Sequence, residues 1–127
     1  MKTATTVLQM LVRLTGLIQI VLGVFLWTGN ADSLIPVHTV SGLVLVLSLL
    51  ALALLAARAG VQPGFVALAI VWAIIVPIVG LTQQQLLPGS AHWVIQVLHL
   101  LLGLGAIGQA ENLAARMKRR WKMALQA

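Results

Sequence analysis

Three histidines are the residues of this sequence best equipped for chemistry: His38, His92 and His99. All lie in or at the edge of long apolar stretches, where an ionisable side chain costs a few kcal/mol unless a partner satisfies it. Two of them share a spacing, His38-Thr-Val-Ser-Gly42 and His99-Leu-Leu-Leu-Gly103. Residues four apart stack on one helix face. A glycine one turn from an imidazole removes the side chain that would block a flat ring, which is what a porphyrin ligated by that imidazole requires. Around His99 the stripe runs His92, Gln96, His99, Gly103, Ala106 and Ala110, polar at one end and small at the other. The candidate metal ligands are therefore His38 and His99, with Gly42 and Gly103 shaping the surface for a cofactor. His92 is a reserve ligand. Its plainer role, beside Trp93, is a hydrogen bond to a headgroup, water or a carbonyl.

The elements that must position these residues are four apolar stretches, predicted as helices over 5–27, 34–57, 64–84 and 91–113, with a basic interfacial tail over 114–127. Each approaches the roughly 20 residues that a helix needs to cross a hydrocarbon layer about 30 Å thick. Turn chemistry separates them: Thr28-Gly29-Asn30-Ala31-Asp32-Ser33, Ala59-Gly60-Val61-Gln62-Pro63-Gly64 and Pro88-Gly89-Ser90. Such short connections predict antiparallel neighbours. The fold class expected is all-α, a four-helix transmembrane up-down-up-down bundle forming a single membrane domain over 1–127. Pro77 falls inside the third helix and frees the carbonyl of Ala73, so a kink is expected there.

Composition agrees with lipid as solvent. The chain has 127 residues, 61% apolar and only 8% charged, whereas a globular domain has about a quarter of its residues charged. The net charge of +6 does not describe a nucleic-acid footprint, because Arg116, Lys118, Arg119, Arg120 and Lys122 sit together in the tail. The other basic residues, Lys2, Arg13 and Arg58, also fall at or near the N-terminus or the second connection, and the first and third connections have none. This positive-inside pattern places both termini on the cytoplasmic side of a bacterial-type inner or plasma membrane. Trp27 and Trp93 flank the outer boundary and Trp121 the inner one. The first stretch is longer than a signal-peptide core and lacks a clear small-x-small cleavage site, so it is read as retained.

Depth offers a coarse check on the histidines. With Arg58 and Arg116 as cytoplasmic markers, His38 and His99 differ by about three residues, or roughly 4.5 Å along the axis. His38 and His92 differ by roughly 6 Å. The separation between these cases is small, and His99 is preferred for its burial and its glycine. The first and third stretches contain no histidine, so one bis-histidine pair is the maximum.

The run from His38 and Gly42 through a Leu/Val stretch to Arg58 resembles the ligand helices of small membrane cytochromes b, the bacterial cytochrome b561 type being the nearest comparison. The resemblance extends over the second and fourth helices. It implies haem b held by two histidines from different helices of a four-helix bundle, relaying electrons to or from a quinone or a redox-protein partner. Those families commonly carry more histidines and two haems; here only His38 and His99 match, which argues against a second haem. Arg13, near the opposite face, is poorly placed to meet a propionate.

Other functions fit less well. A cofactor-free structural or assembly subunit is the main alternative, favoured by small-residue stripes and very short loops. With almost no mass outside the bilayer, either role argues for membership of an oligomer or larger complex. A proton-coupled exporter like the four-helix multidrug transporters needs a membrane-embedded glutamate in the first helix. The acids here are only Asp32 and Glu111, and Glu111 is placed to pair with Arg116 or another nearby base. There is no cysteine, which excludes disulfides, thiolate metal sites and dithiol redox chemistry. No pair of buried carboxylates is available for acid–base catalysis, so a stand-alone enzyme is not expected. A chlorin or other tetrapyrrole would suit the two histidines as well as a porphyrin does.

Overall fold

Every long apolar stretch becomes a helix. The computed structural model describes residues 1–29 and 31–126; Asn30 of the first connection and Ala127 at the end of the tail lie outside the described residues. Helix α1 covers Lys2–Trp27, α2 Ile35–Arg58, α3 Pro63–Thr82 and α4 His92–Gln126, with 3₁₀ turns at Asp32–Leu34 and Gln83–Gln85. No strand occurs among the described residues. All four helices are long and apolar enough to cross a membrane.

Local chemistry explains the boundaries. Pro36 and Pro63 lie in the first turns of α2 and α3, where a missing N–H costs nothing. Helix α2 closes at Gly60, whose φ of +74° is accessible to glycine. There the Gly60 N–H bonds the Ala57 carbonyl (3.0 Å) and the Val61 N–H bonds the Ala56 carbonyl (2.9 Å), the paired closure that satisfies two terminal carbonyls. Pro77 does not interrupt α3, which runs on to Thr82.

The fourth helix runs past its expected limit at residue 113. Residues 114–126 continue α4, which has 35 residues and so a length of about 52 Å. The charge changes abruptly after Leu113, but nothing breaks the helix. The segment is built from Ala, Arg, Lys, Met, Leu and Gln, all strong helix formers, with Trp121 the one exception and neither Gly nor Pro. It is also fastened sideways: Met117 is fully buried and its sulfur accepts a hydrogen bond from Thr5 Oγ1 at 3.8 Å.

Helix α1 packs on α2 and α4, α3 packs on the same two, and α2 touches α4 across the middle. The core is concentrated in one half of the bundle. Val12, Leu49, Leu52, Ala53, Ala56, Ala69, Ala106, Ala110, Leu113 and Met117 have at most traces of exposed surface. Towards the other end, beyond Leu45, Val76 and Ala106, only Ala31 and Ile95 count as buried among the described residues. The large apolar side chains left outside, such as Leu17, Val40, Leu47, Ile78 and Leu101, cover the outer surface of all four helices. Lipid contact accounts for that distribution.

Leu52→Ala removes a side chain with no exposed surface. It is expected to cost about 2–5 kcal/mol through lost contacts and the cavity left behind. Leu54→Ala, at a side chain 54% exposed, is expected to change stability little. Unfolding titrations of both variants in mixed micelles check the contrast.

Candidate functional site

Helices α2 and α4 bring two imidazoles together in the sparsely packed half. His38 lies one turn into α2 and His99 two turns into α4. Their ring centroids are 6.2 Å apart, with ring planes inclined at 59°. Both rings are half-buried, and Nδ1 of each is shut off from solvent with no hydrogen-bond partner. That is an expensive arrangement for a polar atom in apolar surroundings.

The flanking helices shape the space around the rings through glycines other than those the spacing singled out. A Cβ on Gly23 of α1 would lie 3.8 Å from His38 Cε1. One on Gly80 of α3 would lie 2.8 Å from His99 Cε1 and 3.4 Å from Nε2, too close for any side chain. Each imidazole therefore rests against a glycine of the neighbouring helix. Of the two glycines on the histidines' own helices, Gly103 faces open space, with nothing within 4 Å of the position a Cβ would take. Gly42 is covered by the Gln19 side chain, whose nitrogen would be 3.1 Å from a Cβ there.

Gln19 is a residue that spacing alone did not connect to the site. Its Nε2 donates to the carbonyl of His38 and to Ser41 Oγ (2.7 Å), and Ser41 Oγ donates to the Val37 carbonyl at 2.8 Å. This clamp fixes α1 against the first turns of α2. On the other side, Trp72 Nε1 donates to the Leu102 carbonyl at 2.9 Å. Its indole fills the space beside Gly105, holding α3 to α4 one turn beyond His99. His92 is not drawn into the group; its Nδ1 lies 3.2 Å from the Leu86 carbonyl in the third connection.

The geometry limits what two histidines can hold. No cluster of three or more His, Cys, Asp or Glu side chains able to bind a metal ion occurs among the described residues. A metal held only by protein groups needs about three or four ligands. A metal already chelated in a macrocycle needs only the two axial ones. Two imidazoles from different helices, 6.2 Å apart, are a donor set of the kind that a metal already chelated in a macrocycle requires.

Apart from Asp32 in the first connection, the charged residues lie towards the other end. Arg13 grips Glu111 through two bonds, Nε to Oε1 at 2.6 Å and Nη2 to Oε2 at 2.9 Å. Gln9 Nε2 adds a third bond to Oε2 at 2.6 Å, and Lys118 Nζ donates to Gln9 Oε1 at 2.6 Å. Glu111 therefore pairs across helices with Arg13. Arg116 is engaged elsewhere, bonded to Asn112 Oδ1 at 2.8 Å and stacked 3.3 Å above the Phe65 ring. An i to i+5 pair on one helix points its side chains to different faces, whereas Arg13 on α1 meets Glu111 squarely. No protein-family model, curated protein or solved structure was found to match the chain.

Proposed function

We propose that this chain is a multi-pass membrane cytochrome b that holds a single haem b between His38 and His99 and carries electrons as part of a larger redox complex. The observation that carries the reading is the facing of two imidazoles from α2 and α4, 6.2 Å apart, each with a buried nitrogen lacking a partner. In this reading the helices alternate in direction and both termini are cytoplasmic. Contacts along α4 support the alternation: Thr5, Arg13 and Gly16 of α1 meet Met117, Glu111 and Ile107 in descending order. The absence of Lys and Arg from the first and third connections supports the orientation.

His38 and His99 would hold the haem, and Gly23 and Gly80 let the imidazoles sit against α1 and α3. Haem b supplies one-electron chemistry whose potential depends on the axial ligands and the polarity around them. Gln19 holds the His38 end of α2 in register. The electron partner is a quinone or a second redox protein, and the small mass outside the bilayer suits a subunit or anchor.

An absorption spectrum of the detergent-purified protein tests this directly. A Soret band with sharp α and β bands after dithionite reduction is expected. A featureless spectrum from protein expressed with added haem would leave a cofactor-free assembly subunit as the better account.

A further inference from the structure

Where the N-terminal turns of α1 meet the last turns of α4, two grooves lie next to one another and share Thr6. The first, of about 290 Å³, is lined by Lys2, Thr6, Lys118, Trp121, Lys122 and Leu125. The second, of about 380 Å³, is lined by Thr6, Val7, Met10, Leu11 and Leu14. Three lysines and an indole line the first groove, mostly through their apolar parts, and no carboxylate is among its lining residues. The nearest acid, Glu111, already receives Arg13 and Gln9. The second is wholly aliphatic apart from Thr6 and follows one face of α1 away from the chain end. A groove bordered by lysines beside an apolar trough on the same helix face has the charge order of a phospholipid, headgroup first and acyl chain after.

We propose that these adjacent grooves form a binding site for one anionic phospholipid, its phosphate held by Lys2, Lys118 and Lys122 and one acyl chain laid along Val7, Met10, Leu11 and Leu14. Charge complementarity decides the occupant: Lys118 is held by Gln9 beside Glu111, but Lys2 and Lys122 meet no acid among the lining residues, and this excess of positive charge favours an anionic headgroup over a zwitterionic one. Trp121 is suited to the headgroup level, where an amphipathic ring is stable. The site depends on the continuation of α4 beyond Leu113, because Lys118, Trp121, Lys122 and Leu125 all come from it. Lipid bound there joins the two chain ends and seals the α1–α4 seam on the side of the Arg13–Glu111 ion pair. The site lies apart from His38 and His99 and does not rest on the haem reading.

Native mass spectrometry of the full-length protein, released from micelles doped with phosphatidylglycerol or phosphatidylcholine, tests the proposal. One retained phosphatidylglycerol per chain is expected, with phosphatidylcholine retained at least tenfold less. The triple variant Lys2→Gln, Lys118→Gln, Lys122→Gln is expected to lose the retained lipid. Arg119→Gln with Arg120→Gln, which removes charge outside the groove, is expected to keep it. Met10→Trp, which fills the trough and leaves the lysines intact, is expected to weaken retention several-fold. Equal retention of the two lipids, or equal loss in the two charge variants, would overturn the site in favour of general surface attraction. Competition by inorganic phosphate at concentrations similar to the lipid would overturn it in favour of a simple anion site.

Discussion

Protein carrying His38→Ala or His99→Ala is expected to lose the six-coordinate spectrum and most of its bound haem, whereas His92→Ala keeps the spectrum of the parent. Both ligand variants leave the opposite imidazole in place, but a single axial bond from a half-buried ring does not preserve a six-coordinate centre. His92 is already partnered with the Leu86 carbonyl and contributes nothing to the pair. Misfolding is separated from ligand loss by His99→Met. Methionine is a competent axial ligand that raises the reduction potential, so this variant is expected to retain pigment with a more positive midpoint. Full pigment in both alanine variants would place the ligands elsewhere and remove the basis of the cytochrome reading.

Gly80→Ala is expected to weaken pigment retention roughly 10–100-fold, the range seen when groups that orient a metal ligand are disturbed. Its Cβ would lie 2.8 Å from His99 Cε1, a distance that forces the ring to move. Gly103→Ala adds a methyl group where nothing lies within 4 Å, and retention is expected to stay at the parental level. Intrinsic helix preference favours alanine over glycine by about 0.8–1 kcal/mol, so a fall in pigment at Gly80 without a matching fall in helix content marks a local effect. The pair is read by titrating haem into apoprotein and following the Soret band. The opposite outcome, loss at Gly103 with none at Gly80, would return the surface next to the ring to the histidine's own helix.

The four helices were legible because apolar length is a local property: a run of about 20 apolar residues must satisfy its backbone within itself. The turn residues between the runs put the observed ends within a few positions of those expected, and Gly60 shows why, since its left-handed backbone closes α2. Hydropathy ends the fourth helix too early because it reports the solvent around a segment and not whether its backbone continues. Lys118 and Arg119 leave the apolar run, yet they extend the same helix.

What a helix packs against is not a local property. Spacing could mark Gly42 and Gly103 as small surfaces one turn from a histidine. It could not say that Gln19 of α1 would cover Gly42, or that His99 would turn towards Gly80 of α3. It suggested a neighbouring base for Glu111, and the partner came from Arg13 on another helix. The sequence by itself determined the number of helices, their approximate limits and the residues able to ligate. Only the tertiary structure decided which of those residues face one another, because that depends on the rotation of each helix about its axis, and neighbouring helices fix that rotation.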